Sequence, residues 1–223
     1  MSIADPVVIA VETLADLLHE LGDVPPDRVL MRPPPGTADE ADLLLLVERD
    51  KCLCELIDGV LVEKPMGWYE SRLAVALTIY LEAYLTDRDI GFVLGENAPH
   101  RLRPRLVRLP DVSFVRYESL PPPDARRTRV AEWVPDLAVE VLSESNRPRE
   151  MERKLQEYFM VGVKLVWYAD PESRNVRVFH SPDDCRILSD ADELSGEDLL
   201  PGFRLSIRDW FARADRSMQG SPA

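Results

Sequence analysis

Three residues have the type and setting for metal-assisted hydrolytic chemistry: Asp111, Glu140 and Lys154. Glu140 is the one polar residue in LAVEVL (137–142), a run that suits a strand covered on both faces. An ionised carboxylate there is unfavourable unless it is paired or binds a metal ion. Asp111 follows Pro110 in RLPDVSFV (108–115). Proline cannot donate to a β-ladder, so Pro110 predicts a bulge or an edge, where a side chain is re-aimed. Lys154 lies at the margin of the stripe Met151, Leu155, Tyr158 and Phe159 on a predicted helix. Its stem can run along the core and deliver the ammonium to the sheet edge. Each has a plainer reading: a buried salt bridge, a Pro-Asp turn, a snorkelling surface lysine. Together they have a chemical logic. Two carboxylates on neighbouring strands can share Mg²⁺, a hard cation that prefers oxygen. The metal activates water and neutralises phosphoryl charge, and a nearby lysine positions that water or stabilises developing charge.

These residues need elements to position them. Apolar spacing predicts helices over 11–21, with Gly22 as the stop, over 70–86, and over 148–160, with Pro148 in the first turn and Gly162 past the end. Residues 54–64, CELIDGVLVEK, read as a hairpin turning at Asp58-Gly59. Strands are expected over 90–95, 106–116, 137–142, 163–169 and 175–179. Residues 41–49 fit a helix or a strand. Residues 23–40 and 117–135 are proline-containing loops, and LLPGFRLSIRDWF (199–211) reads as a loop and a short helix. The order suits one mixed sheet with helices packed on it.

Composition narrows the function classes. A chain of 223 residues supports one core better than two. It contains no apolar run long enough to span a membrane, and the N-terminus lacks a signal-peptide pattern. Cys52, Cys54 and Cys185 form neither a disulfide framework nor a zinc set, so the chain reads as cytoplasmic. His19, His100 and His180 share no ligand spacing. Trp133, Trp167 and Trp210 read as core, and Trp68 is the tryptophan placed to lie near a site. The net charge of −13 argues against an extended basic groove. The one dense basic stretch is HRLRPRLVR (100–108), read as a solvated hairpin rather than a phosphate-contacting surface.

The segments CELIDGVLVEK, PDVSFV, PDLAVEVLSES, MERKLQEYFMVGVKLVWYADPESRNVRVF and LPGF, in this order over roughly 50–211, closely resemble the Uma2 family (DUF820) of restriction-type endonucleases. The resemblance implies a PD-(D/E)XK nuclease core. That is an α/β (α+β) fold with a mixed central sheet flanked by helices, here with an N-terminal helix or arm and a hairpin. Residues 1–45 would form the arm, 46–215 the nuclease domain and 216–223 a disordered tail. Asp111 matches the motif's aspartate and Glu140 its acidic residue, both as metal ligands. Leu142 stands where the simple motif has lysine, and the resemblance assigns that role to Lys154. Glu55 matches a further acidic position, as a supporting residue or a third ligand. The chain departs from the pattern at Trp68-Tyr69-Glu70, where many members carry a histidine that Tyr69 or Glu70 would replace. It departs again before the 148–160 helix, where Glu150 is the nearest acid. The implied activity is Mg²⁺- or Mn²⁺-dependent hydrolysis of DNA by a homodimer. The alternative is a catalytically silent nuclease-fold module that binds nucleic acid or a protein.

Overall fold

In the computed structural model, which describes residues 11–49, 52–65, 67–126 and 128–216, Thr13 and Asp16 cap each other reciprocally and start helix α1 (Leu14–Glu20). Gly22, with φ of 91°, ends that turn. Residues 41–49 resolve as helix, within α2 (Glu40–Arg49). Asp58 and Gly59 both have positive φ, 51° and 82°, as a type I′ turn requires. They join β1 (Cys54–Ile57) to β2 (Val60–Glu63). Helix α3 (Trp68–Leu85) follows, then β3 (Gly91–Gly95), β4 (His100–Arg103), β5 (Leu106–Arg108), β6 (Val112–Arg116) and β7 (Leu137–Val141). Helix α4 (Pro148–Met160) returns the chain to β8 (Leu165–Asp170). The rest is β9 (Asn175–Ser181), β10 (Asp184–Leu188), β11 (Glu193–Ser195), β12 (Arg204–Ser206) and α5 (Ile207–Asp215).

The strands form two main sheets. A six-stranded mixed sheet runs β10-β9-β8-β7-β6-β3, parallel only at β7–β8, the pair joined by α4. A four-stranded antiparallel sheet runs β2-β1-β5-β4, and β11 pairs with β12. The sequence pointed to one sheet and to a single strand over 106–116. The structure divides that stretch between the two sheets, β5 in one and β6 in the other. Leu109-Pro110-Asp111 forms the crossing between them, and the predicted bulge is absent. Pro110 has no N–H to offer a ladder, so one strand ends there and the next begins beyond it.

Alternation along β7 sorts the core. Leu137, Val139 and Val141 pack towards α3 and α5 with Leu73, Leu77, Trp210 and Phe211. Ala138 faces the opposite way, among Met151, Leu155 and Tyr158 of α4. The N-terminal arm is part of this second layer. Leu21 and Val24 are buried in it, and a Cβ added at Gly22 would lie 2.6 Å from the Glu150 Cα. The arm therefore packs on its own chain, and its length is no argument for a second one. The expected C-terminal tail lies outside the described residues from 217 onwards, as do residues 1–10 of the arm. Among the described residues no helix is long and apolar enough to cross a membrane.

Candidate functional site

Residue parity decides which side chains meet. Glu140 shares the Ala138 face of β7 and so points at α4. In β1, Cys54 and Leu56 pack on the α2 side, which turns Glu55 towards α4 as well. Arg108 lies on that same side of β5, opposite Val107. On α4, Lys154 and Tyr158 are four residues apart and both face this point. The Tyr158 hydroxyl donates to Glu140 Oε1 at 2.6 Å. The Lys154 ammonium lies 3.2 Å from the same oxygen and 3.1 Å from Glu55 Oε1. Asp111, held in the crossing between sheets, accepts the Val141 amide on Oδ2 at 2.6 Å.

Sequence reasoning missed Lys64. Its ammonium sits 2.8 Å from Asp111 Oδ1 and 3.7 Å from Glu140 Oε2, and it donates to the Leu109 carbonyl. These distances put Asp111 Oδ1 and Glu140 Oε2 at most 6.5 Å apart. A signal was present: in VLVEK, Lys64 has the parity of Val60 and Val62, which pack on the α4 side. The structure thus brings Asp111, Glu140, Glu55 and Lys154 together and adds Lys64.

The other candidates fall elsewhere or serve as supports. The Tyr69 hydroxyl donates to Asp215 Oδ1 at 2.5 Å and does not join the cluster. Glu70 does line the small cavity between Lys64, Asp111, Glu140, Asn146 and Lys154. Glu150 is clasped by both Arg28 terminal nitrogens at 3.0 and 2.8 Å, which ties the arm to the first turn of α4. Trp68 is exposed, while Trp167 and Trp210 are core. His100 is buried near Ser113 Oγ and the Trp133 carbonyl, away from the cluster, and burial pushes its pKa down to about 4. The arginines of HRLRPRLVR are each engaged by a carboxylate or a carbonyl, with Arg101 and Arg103 still partly solvated and Arg108 buried. Arg108 is fully buried between Glu55 and Glu157. Arg103 pairs with Asp58, Arg101 with Glu40 and Glu132, and Arg105 donates to the Gly36 carbonyl. Hairpin arginines are held this way because the α2 end and the Asp58 turn place carboxylates alongside.

The two buried glutamates that share Lys154 behave differently. Burial would raise the Glu55 carboxyl, but Lys154, Arg108 and Lys64 outweigh it and hold it well below the usual range. The Leu109 amide adds a donor at 3.1 Å. For Glu140 burial wins: its carboxyl is raised despite Lys154 and Lys64, with Asp111 and Glu55 adding repulsion. Glu140 is therefore the under-compensated carboxylate of the cluster. Lys64 is buried too, yet Asp111 and Glu140 raise its pKa above the ordinary value.

Among the described residues no three His, Cys, Asp or Glu side chains are grouped to hold a metal ion. What exists is a pair, Asp111 and Glu140, with the Leu109 carbonyl alongside. These oxygens already surround one cation, the Lys64 ammonium. An all-oxygen cage of this kind has the donor chemistry a hard divalent ion requires, so the pair fits such an ion in place of the ammonium. The enclosed cavity is about 20 Å³, room for about one water. Asp111 also borders an outer groove of about 510 Å³ between α3 and the β3–β4 loop, with Ser71, Thr78, Glu96 and Asn97.

Comparison with known proteins places this architecture. The crystal structure of "a putative nuclease belonging to DUF820" from Anabaena variabilis ATCC 29413 superposes with a TM-score of 0.67 at 18% identity. The match covers 79% of this chain and 98% of that one. At that identity the likeness concerns the fold: a mixed sheet flanked by helices. No curated protein matches. The Uma2 family model, described as "Putative restriction endonuclease", matches residues 39–208. That stretch runs from the start of α2 into α5 and contains both sheets and every member of the Asp111–Glu140 cluster, so the chain belongs to the Uma2 family.

Proposed function

We propose that this protein is an endonuclease that hydrolyses DNA phosphodiester bonds with Mg²⁺ or Mn²⁺ held by Asp111 and Glu140. The observation that carries the reading is a pair of buried carboxylates, Asp111 and Glu140, that line one small cavity, each with one oxygen fixed by the protein and one left for a ligand. When bound, the ion supplies Lewis-acid stabilisation of phosphoryl charge. The chain's own residues do the rest. The Val141 amide fixes the Asp111 carboxylate, and the Tyr158 hydroxyl fixes that of Glu140. Glu55, itself locked by Arg108 and the Leu109 amide, positions Lys154 so that its ammonium can meet developing negative charge beside the carboxylate pair. The groove along Asp111 gives a scissile phosphate an approach from the α3 side. A two-fold homodimer would present one such site to each strand of a duplex, and the three unpaired cysteines suit a reducing, cytoplasmic setting.

Plasmid cleavage tests the reading. Supercoiled DNA should be nicked or linearised with Mn²⁺ or Mg²⁺ and left intact with EDTA. Asp111→Asn, Glu140→Gln and Lys154→Met should each abolish cleavage while remaining folded. A second reading, a silent nuclease-fold module, draws on the net charge of −13 and on the ion pairs that fill the cluster. It gains if the wild type neither cuts nor binds Mn²⁺.

A further inference from the structure

We propose that Lys64 is the resident cation of the Asp111–Glu140 cage, and that a divalent ion enters only by displacing its ammonium. The inference rests on the metal-dependent reading above and adds a step to it. Each carboxylate has one oxygen committed to the protein: Asp111 Oδ2 to the Val141 amide, and Glu140 Oε1 to Tyr158 and Lys154. The oxygens left for a ligand are Asp111 Oδ1 and Glu140 Oε2, the same two that the Lys64 ammonium faces. Its remaining bond goes to the Leu109 carbonyl. Metal–oxygen distances of about 2.0–2.6 Å would bring an ion bound to both oxygens into the space the ammonium holds.

Charge balance points the same way. In the connected network, Glu55, Asp58, Asp111, Glu140 and Glu157 face Lys64, Arg103, Arg108, Arg153 and Lys154. A divalent ion added to this neutral set would leave two uncompensated positive charges in a buried place, which is strongly unfavourable. If Lys64 leaves, one remains. An exit exists. Lys64 follows the last residue of β2, its side chain is 9% exposed, and the cavity beside it is also lined by Glu70 and Glu150. Glu150 is already held by Arg28, so Glu70 is the carboxylate that can receive a displaced ammonium. Lys154 differs: it is wedged between Glu55 and Glu140 and stays.

The test is Mn²⁺ titration followed by the electron paramagnetic resonance signal of the free ion, with no DNA present. Lys64→Met, which fills the space without charge, should bind Mn²⁺ at least about tenfold more tightly than wild type. Lys64→Gln should move the same way, and Lys64→Arg should not. A parallel measurement needs only the wild type. Acetylation of Lys64, read by mass spectrometry, should be slow without metal and rise on adding Mn²⁺, while that of Lys154 does not. Equal Mn²⁺ affinity in wild type and Lys64→Met, with Lys64 labelling unchanged by metal, would overturn the displacement and leave the metal-dependent reading standing. Absence of Mn²⁺ binding in wild type and all three variants would overturn both.

Discussion

Glu55 and Glu140 lie against the same ammonium, yet replacing each with glutamine is expected to affect stability very differently. Glu55 accepts from three donors: Arg108 at 2.7 Å, the Leu109 amide at 3.1 Å and Lys154 at 3.1 Å. Both its oxygens are used, so an amide NH₂ must face either Arg108 or Lys154 and Leu109. Breaking a buried ion pair from one side destabilises by roughly 3–5 kcal/mol. For a chain of this size each kcal/mol moves the melting temperature by about 2–4 °C, so Glu55→Gln should melt about 6–20 °C lower. Glu140 accepts close donors on Oε1 only, Tyr158 at 2.6 Å and Lys154 at 3.2 Å. Its Oε2 is 3.7 Å from Lys64, beyond hydrogen-bond range. A glutamine can keep its carbonyl on the Oε1 side, lose that one long contact and relieve repulsion with Asp111. Metal-free Glu140→Gln should therefore melt within about 1 kcal/mol of wild type, or higher. The assay is differential scanning fluorimetry in EDTA, repeated with Mn²⁺. An ion at about 100 times its Kd adds about 2.7 kcal/mol, and Glu140→Gln should lose that gain. A drop in Glu140→Gln as large as that of Glu55→Gln, with no Mn²⁺ effect on wild type, would show a structural salt-bridge network and refute the metal reasoning.

Three further outcomes are expected. The Glu55 carboxyl is held below its ordinary value near 4.5, so its stabilisation is fully present above that pH and is lost as pH falls towards the depressed folded value. The urea midpoint of wild type should fall below pH 4.5 more steeply than that of Glu55→Gln, and parallel curves would count against it. Gly22→Ala should destabilise by about 1–3 kcal/mol, because φ is 91° and the new Cβ would sit 2.6 Å from the Glu150 Cα; an unchanged melt would remove the arm–α4 contact from the account. Light scattering at micromolar concentration should give twice the 25.3 kDa chain mass, and a monomer mass would exclude the dimer under those conditions.

What could be read from the sequence was what depends on local pattern. A lone acid in LAVEVL, a lysine at the margin of a helix stripe and an Asp-Gly between apolar runs each carry their meaning within a dozen residues. Lys64 is equally local, since it continues the alternation of VLVEK one residue past the strand. The contacts that escaped are long-range. Arg28 meets Glu150 across 122 positions and Arg108 meets Glu55 across 53, so neither the packed arm nor the buried arginine had a local signature. The change of sheet at Pro110 was half legible. Proline marked the interruption, but a bulge and a crossing interrupt a ladder alike, and only the partner strands distinguish them.

That crossing has a consequence for the chain during its synthesis. Asp111 stands where the backbone leaves one sheet for the other, Lys64 and Glu55 come from the first sheet, and Glu140 belongs to the second. Lys154 arrives later still, on the helix that links the parallel pair. No contiguous piece ending before residue 141 can assemble the carboxylate pair, since the Val141 amide that fixes Asp111 has not yet been made. A growing polypeptide that stops short of β7 therefore carries Glu55, Lys64 and Asp111 without Glu140, Lys154 or Tyr158.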